Sequence, residues 1–233
     1  MKTTLIFTSG ETTGKMVIKR DDGSVAQKEI LNSTILEAFQ NASTIDEYYA
    51  VPSLLQKYVP SVEGLLYGCK EPNLVKGIFF VPGDTRYMNF SKEQFIIPYP
   101  SCLFVLEATN GQLVSSHCYC TAESRMDDLK EDTRLFAFPF GNVQPSDGYI
   151  CWGTNHLGVI NSYSDLKNAI ITFFSSETNS DYVTKGSSFQ GYKNYRYFLS
   201  ALGRLKKFPA KALVPSFYCK TVGSLLDNFI NEY

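Results

Sequence analysis

Leu31, Ile35 and Phe39 recur at four-residue spacing with Glu37 and Gln40 turned away from them, so residues 30–40 predict a helix with one apolar face. Ahead of it, residues 4–8 and 15–19 read as short strands, and Asp21-Asp22-Gly23 supplies residues that tolerate positive φ. An amino-terminal hairpin within residues 1–30 is expected. From 64 to 120 the period shortens: apolar runs of strand length stand at 65–67, 77–81, 102–106 and 112–119. Thr109-Asn110-Gly111-Gln112 is the strongest hairpin signal. With no helical pattern between these runs to serve as a parallel crossover, they predict a four-stranded antiparallel meander.

Beyond Asp132 the pattern breaks. Two prolines and two glycines within 138–148 exclude a helix and predict a constrained loop. Leu166, Ile170, Phe173 and Phe174 then mark a helix, with Ser162 and Asp165 at capping-box spacing. Tyr195, Phe198, Leu199, Leu202 and Leu205 mark another, stopped before Pro209, and Val222, Leu225, Leu226 and Phe229 a last one. The Ser- and Thr-rich stretch 175–188 reads as a mobile loop. The order predicts an α+β domain with its helices grouped at the ends, a single domain over 1–233 whose best-supported part is 60–233.

Composition narrows the function. The 233 residues are 44% hydrophobic, enough for a substantial core, and 22 Lys and Arg against 23 Asp and Glu leave no excess of positive charge for a duplex-DNA clamp. No apolar run reaches the roughly 20 residues of a membrane-spanning helix, and nothing marks the chain for export. Six scattered cysteines are too few to staple a chain of this size, so a reduced, cytoplasmic protein is expected. Phosphate-binding, dinucleotide-binding and serine-esterase signatures are absent.

His117-Cys118-Tyr119-Cys120 concentrates soft ligands, but in a strand the two cysteines share a face that His117 does not. No second cysteine pair at zinc spacing completes a site, so these read as buried strand cysteines. Cys151 differs: it follows a Pro-Ser-Asp-Gly turn and precedes Trp152-Gly153-Thr154-Asn155-His156. It reads either as an accessible nucleophile, with His156 five residues on, or as a small hydrophobe under Trp152. Asn142, nine residues earlier, is a residue type that donates an amide N–H to an oxyanion, or a turn former after Gly141.

Phe138-Pro139-Phe140-Gly141-Asn142-Val143 and Asp147-Gly148-Tyr149-Ile150-Cys151-Trp152-Gly153 resemble the active-site stretch of ubiquitin-conjugating enzymes, where a His-Pro-Asn turn precedes a Gly-x-Ile-Cys motif whose cysteine carries ubiquitin as a thioester. Here the spacing is one residue longer and the His is missing. That departure is similar to prokaryotic family D of the superfamily, also called protein B of the PRTRC system. Phe79-Phe80-Val81-Pro82 with Thr85-Arg86, Pro98-Tyr99-Pro100, Phe173-Phe174-Ser175-Ser176 and Phe208-Pro209 extend the likeness over about 60–230.

The resemblance implies a ubiquitin-conjugating-enzyme-like fold and a carrier enzyme. A ThiF-like activating enzyme hands a ubiquitin-like protein to Cys151, and an acceptor yet to be identified attacks the thioester. Asn142 holds the oxyanion, with Asp147, Asn155 and His156 as supporting residues. Phe140 braces the loop by packing where the family's His braces it by hydrogen bonding. Glu177, Asp181 or Asp147 is the acid on the acceptor side. No cofactor, metal, membrane or specific nucleic acid is implied. Two other readings stand: a catalytically inactive docking module of the same fold in a plasmid-borne or mobile element, and a thiol hydrolase with a Cys151–His156 dyad.

Overall fold

The computed structural model describes residues 2–7, 13–20, 24–31, 62–183 and 194–231. It is a mixed α/β chain with antiparallel sheets and, among the described residues, three α-helices. These residues fall into two compact units.

The first unit holds β1 (Lys2–Phe7), β2 (Thr13–Lys19) and β3 (Val25–Leu31) as an antiparallel sheet in that order. The expected amino-terminal hairpin is therefore two strands of a three-stranded sheet. Ile30 and Leu31 close β3 rather than open a helix, and the remainder of the helix expected over 30–40 lies outside the described residues.

The second unit is built on β4 (Leu65–Glu71), β5 (Leu74–Val81), β8 (Ser101–Thr109) and β9 (Gln112–Thr121), with β10 (Phe136–Ala137) added along β9. Neighbours in the order β10-β9-β8-β5-β4 are all antiparallel. The four expected segments are adjacent, but they are not an uninterrupted run. Between β5 and β8 the chain makes a separate hairpin, β6 (Thr85–Phe90) and β7 (Glu93–Pro98), which β11 (Glu177–Thr178) joins in parallel. The turn of that hairpin, Ser91-Lys92, puts two non-glycine residues at φ 51° and 65°.

Both faces of the five-stranded sheet are covered. On the first, α1 (Tyr163–Ser175) buries Leu166, Ala169, Ile170 and Phe173 against Val75, Phe79, Phe104 and Leu106, and α2 (Tyr195–Leu202) adds Phe198 and Leu199 to the same core. On the second, α3 (Val222–Asn231) packs Val222, Leu225 and Phe229 over Ile78, Phe80, Leu103 and Tyr119. A strand buried on both faces reads as a continuous apolar run instead of an alternation, as 77–81 does. Lys76 sits on the second face at 1% exposure, its ammonium donating to the Phe229 carbonyl at 2.8 Å and lying 4.7 Å from that ring's centre. That carbonyl is in the last turn of α3, where helix carbonyls lack partners and positive charge is favoured.

Ser162 caps α1, accepting from the amide of Asp165, whose carboxylate accepts from the Ser162 hydroxyl and the Asn161 amide. The second helix ends sooner than expected. Gly203 follows Leu202, so Leu205 lies past the helix and is exposed.

Candidate active site

Residues 142–151 form a small hairpin that the constrained-loop expectation does not describe. The amide of Gln144 donates to the Tyr149 carbonyl at 2.8 Å, and that of Cys151 to the Asn142 carbonyl at 2.8 Å, with Val143 and Ile150 bridged between them. The returning limb also lies along β9: Ile150 N–H donates to Ser116 O at 3.0 Å, and Cys118 N–H to Gly148 O at 2.8 Å. Cys151 thus ends a short strand pinned on both edges. Gly148, at φ 79°, is needed at its start, because a Cβ there would meet the Tyr119 ring at 2.8 Å.

A main-chain hydrogen bond fixes the amide of Cys151, and the residue is half-buried, unlike the fully buried cysteines of the sheet. Trp152 anchors the next step. Its indole N–H donates to Ser116 Oγ at 2.9 Å and its ring meets Phe173 edge-on at 6.2 Å.

Asn142 sits opposite Cys151 in the ladder, but its amide is committed elsewhere. At φ 67° it directs Nδ2 to the Glu177 carbonyl at 2.9 Å, while Oδ1 accepts from the Asn179 amide at 3.1 Å. The residue is 8% exposed. Asn142 therefore ties the Cys151 hairpin to β11. The expected mobile loop over 175–188 is, over its first residues, a docked strand, and 184–188 lies outside the described residues. Gly141 allows this approach, since a Cβ on it would run into the Asn179 carbonyl.

The remaining expected residues scatter around this frame. Asp147 uses its carboxylate to accept from the Tyr149 amide at 3.0 Å, while its carbonyl accepts from the Tyr119 hydroxyl and from His117 Nδ1 at 3.1 Å. That last contact fixes a proton on Nδ1. Asn155 folds back on the Trp152 carbonyl through Nδ2 at 2.8 Å. His156 is exposed, and among the described residues no hydrogen bond joins it to Cys151. Glu177 Oε1 accepts from the Lys92 amide at 3.3 Å, and the amide of Asp181 donates to Asn179 Oδ1 at 3.1 Å.

Phe140 is 1% exposed and packs against Tyr99 at 4.8 Å, Phe138 at 5.4 Å and Phe208 at 5.9 Å. An aromatic cluster surrounds the position beside the hairpin. Tyr195 belongs to the site and carries no sequence signal for it: its hydroxyl accepts from the Gly141 amide at 3.2 Å, 54 residues away in the chain. No group of three or more metal-ligating side chains gathers among the described residues.

A pinned cysteine facing an asparagine across a hairpin, beside an antiparallel sheet with helices on both faces, is the setting in which the comparisons fall. The family model for prokaryotic E2 family D matches residues 32–216, well over half of the chain and all of the hairpin. The chain belongs to prokaryotic E2 family D. Neither the curated proteins nor the solved structures gave a match. Membership points to a ubiquitin-conjugating-like role and, in general terms, to partnership with activating-enzyme-like proteins. Among the described residues no helix is long and apolar enough to cross a membrane.

Proposed function

We propose that this protein is a carrier of a ubiquitin-like protein, with Cys151 as the nucleophile. The Cys151 thiolate attacks the thioester carbonyl presented by a ThiF-like activating enzyme, whose own cysteine leaves as the thiolate. An acceptor amine then attacks the new thioester, forming the C–N bond as Cys151 Sγ departs and the amine gives up its proton. The observation that carries this reading is the 2.8 Å bond from the Cys151 amide to the Asn142 carbonyl beneath a thiol that is not sealed. It fixes the main chain and leaves the side chain to react. Asn142 Nδ2 retains one hydrogen beyond its bond to Glu177 for the oxyanion, and Asp147 stands four residues before the nucleophile as the acid on the acceptor side.

In this reading β4, β5, β8 and β9 are the superfamily's meander within a single conjugating-enzyme-like domain over residues 1–233, of which 60–233 is the best-supported part and 1–30 an appendage. The compartment is the reducing cytoplasm, and no cofactor is required because the acyl group arrives activated. The capture of both Asn142 amide atoms by the 177–179 segment favours a second reading, a docking module in which the asparagine is purely structural.

Incubation with a ThiF-like enzyme, ATP and its ubiquitin-like protein should give a thiol-sensitive adduct that Cys151→Ala abolishes completely and Cys151→Ser converts to a thiol-resistant ester. An adduct that survives in Cys151→Ala removes Cys151 from the role. No adduct on the wild-type protein leaves the docking module.

A further inference from the structure

Tyr195 opens α2 and is 4% exposed, its ring edge-on to Phe90 at 4.9 Å. Its hydroxyl stands where three elements meet. It accepts from the Gly141 amide at 3.2 Å and lies 3.8 Å from the Met88 sulfur of β6. Gly141 passes too close to the Asn179 carbonyl to admit a Cβ, and the left-handed turn at Asn142 follows at once. The carbonyl of that same Asn142 receives the Cys151 amide. A continuous path therefore runs from the hydroxyl through Gly141 and Asn142 to the nucleophile.

We propose that Tyr195 is a positioning residue for Cys151, its hydroxyl fixing the Phe140–Gly141 peptide from which the Asn142 turn departs. Burial pushes the phenol above its ordinary range, so the hydroxyl stays neutral, able to accept from Gly141 while offering its own proton to sulfur. No other hydrogen bond to the Gly141 amide is present among the described residues, so the tyrosine is what holds that peptide in a buried setting. Its effect on rate rests on the carrier reading, whereas its effect on the Cys151 hairpin does not.

Tyr195→Phe keeps the ring and removes the hydroxyl. In the full chain, kcat for thioester formation should fall about tenfold or more while KM for the charged activating enzyme is unchanged, because the hairpin shifts and the docking surface does not. Combined with Asn142→Ala, it should add little to the slower single variant, since both act through one turn. The pH profile for alkylation of Cys151 by iodoacetamide, followed by peptide mass spectrometry, should also change in Tyr195→Phe while that of Cys69 does not. Wild-type kinetics together with an unchanged Cys151 profile in a folded variant overturn the proposal. Absence of an adduct on the wild-type protein defeats the carrier reading alone, and the alkylation profile then decides. Should Tyr195→Phe not fold, amide exchange in the wild-type chain replaces it. Joint protection of the Gly141 and Cys151 amides supports the proposal, and free exchange at Gly141 overturns it.

Discussion

Cys118 and Cys151 lie on neighbouring strands, yet the regions around them treat a thiol in opposite ways. Cys102, Cys118 and Cys120 are wholly buried, with Cys102 directly opposite Cys120 and their sulfurs 3.9 Å apart. Burial pushes the thiols of Cys118 and Cys120 well above their ordinary value. There the side chain is fixed by packing. At Cys151 the main chain is held by its own amide bond to Asn142 on one edge and, on the other, through the bond of the preceding Ile150 to Ser116, while the residue is only half-buried. Rigidity is common to both regions, and what distinguishes a candidate nucleophile is which part of the residue supplies it.

The contrast breaks most directly under alkylation. A thiol in the core is reached only through local opening, and an opening cost of about 4 kcal/mol corresponds to a slowing of roughly three orders of magnitude. Iodoacetamide should therefore label Cys151 about a thousandfold faster than Cys102, Cys118 or Cys120, read by peptide mass spectrometry. Equal rates would erase the distinction. A smaller effect sharpens it. Phe140→Ala empties a position packed by Tyr99, Phe138 and Phe208 and should cost about 3–5 kcal/mol in denaturant unfolding. If the aromatic cluster braces the hairpin, hydrogen exchange at the Cys151 amide should accelerate before that at Cys118.

The smallest effect is a control on α1. Asp165 is held below the usual carboxylate range by the Asn161 amide and then by the Ser162 hydroxyl. Its folded value is depressed, so its contribution is complete above the unfolded value of about 4 and fades as pH falls through the folded one. Asp165→Asn should flatten the acid limb of the stability profile, moving the acid midpoint by less than about half a pH unit because the half-buried carboxylate is still screened by solvent. The ratio of Cys151 to Cys102 labelling should not move.

Legibility in the sequence followed how local each signal was. The capping of α1 by Ser162 and the sheet runs at 77–81 and 102–106 depend on neighbours in the chain, and they appear where the pattern puts them. The β6–β7 hairpin was not legible because its turn uses Ser91 and Lys92 at positive φ, where Asn-Gly is the usual mark. Leu205 continues the apolar spacing of α2, but the helix stops at Gly203, where a Cβ would come within 3.0 Å of the Ile96 carbonyl. At the candidate site, the motif names Asn142 and Cys151 but not the hairpin that sets them opposite each other. It does not tell where the asparagine's amide goes, since Glu177 and Asn179 stand 35 and 37 residues away in a polar stretch with no pattern of its own. Tyr195 is invisible for the same reason: on a helical wheel it is one more apolar-face residue.

Lys76 joins strand β5 to a carbonyl 153 residues later. A cation lodged that deep acts as a latch whose catch is supplied by α3, far along the chain. Loss of α3 from Phe229 onward would therefore do more than shorten a helix. It would strip a near-dry ammonium of an acceptor and an aromatic wall, and the damage would register as loosening of the sheet's second face.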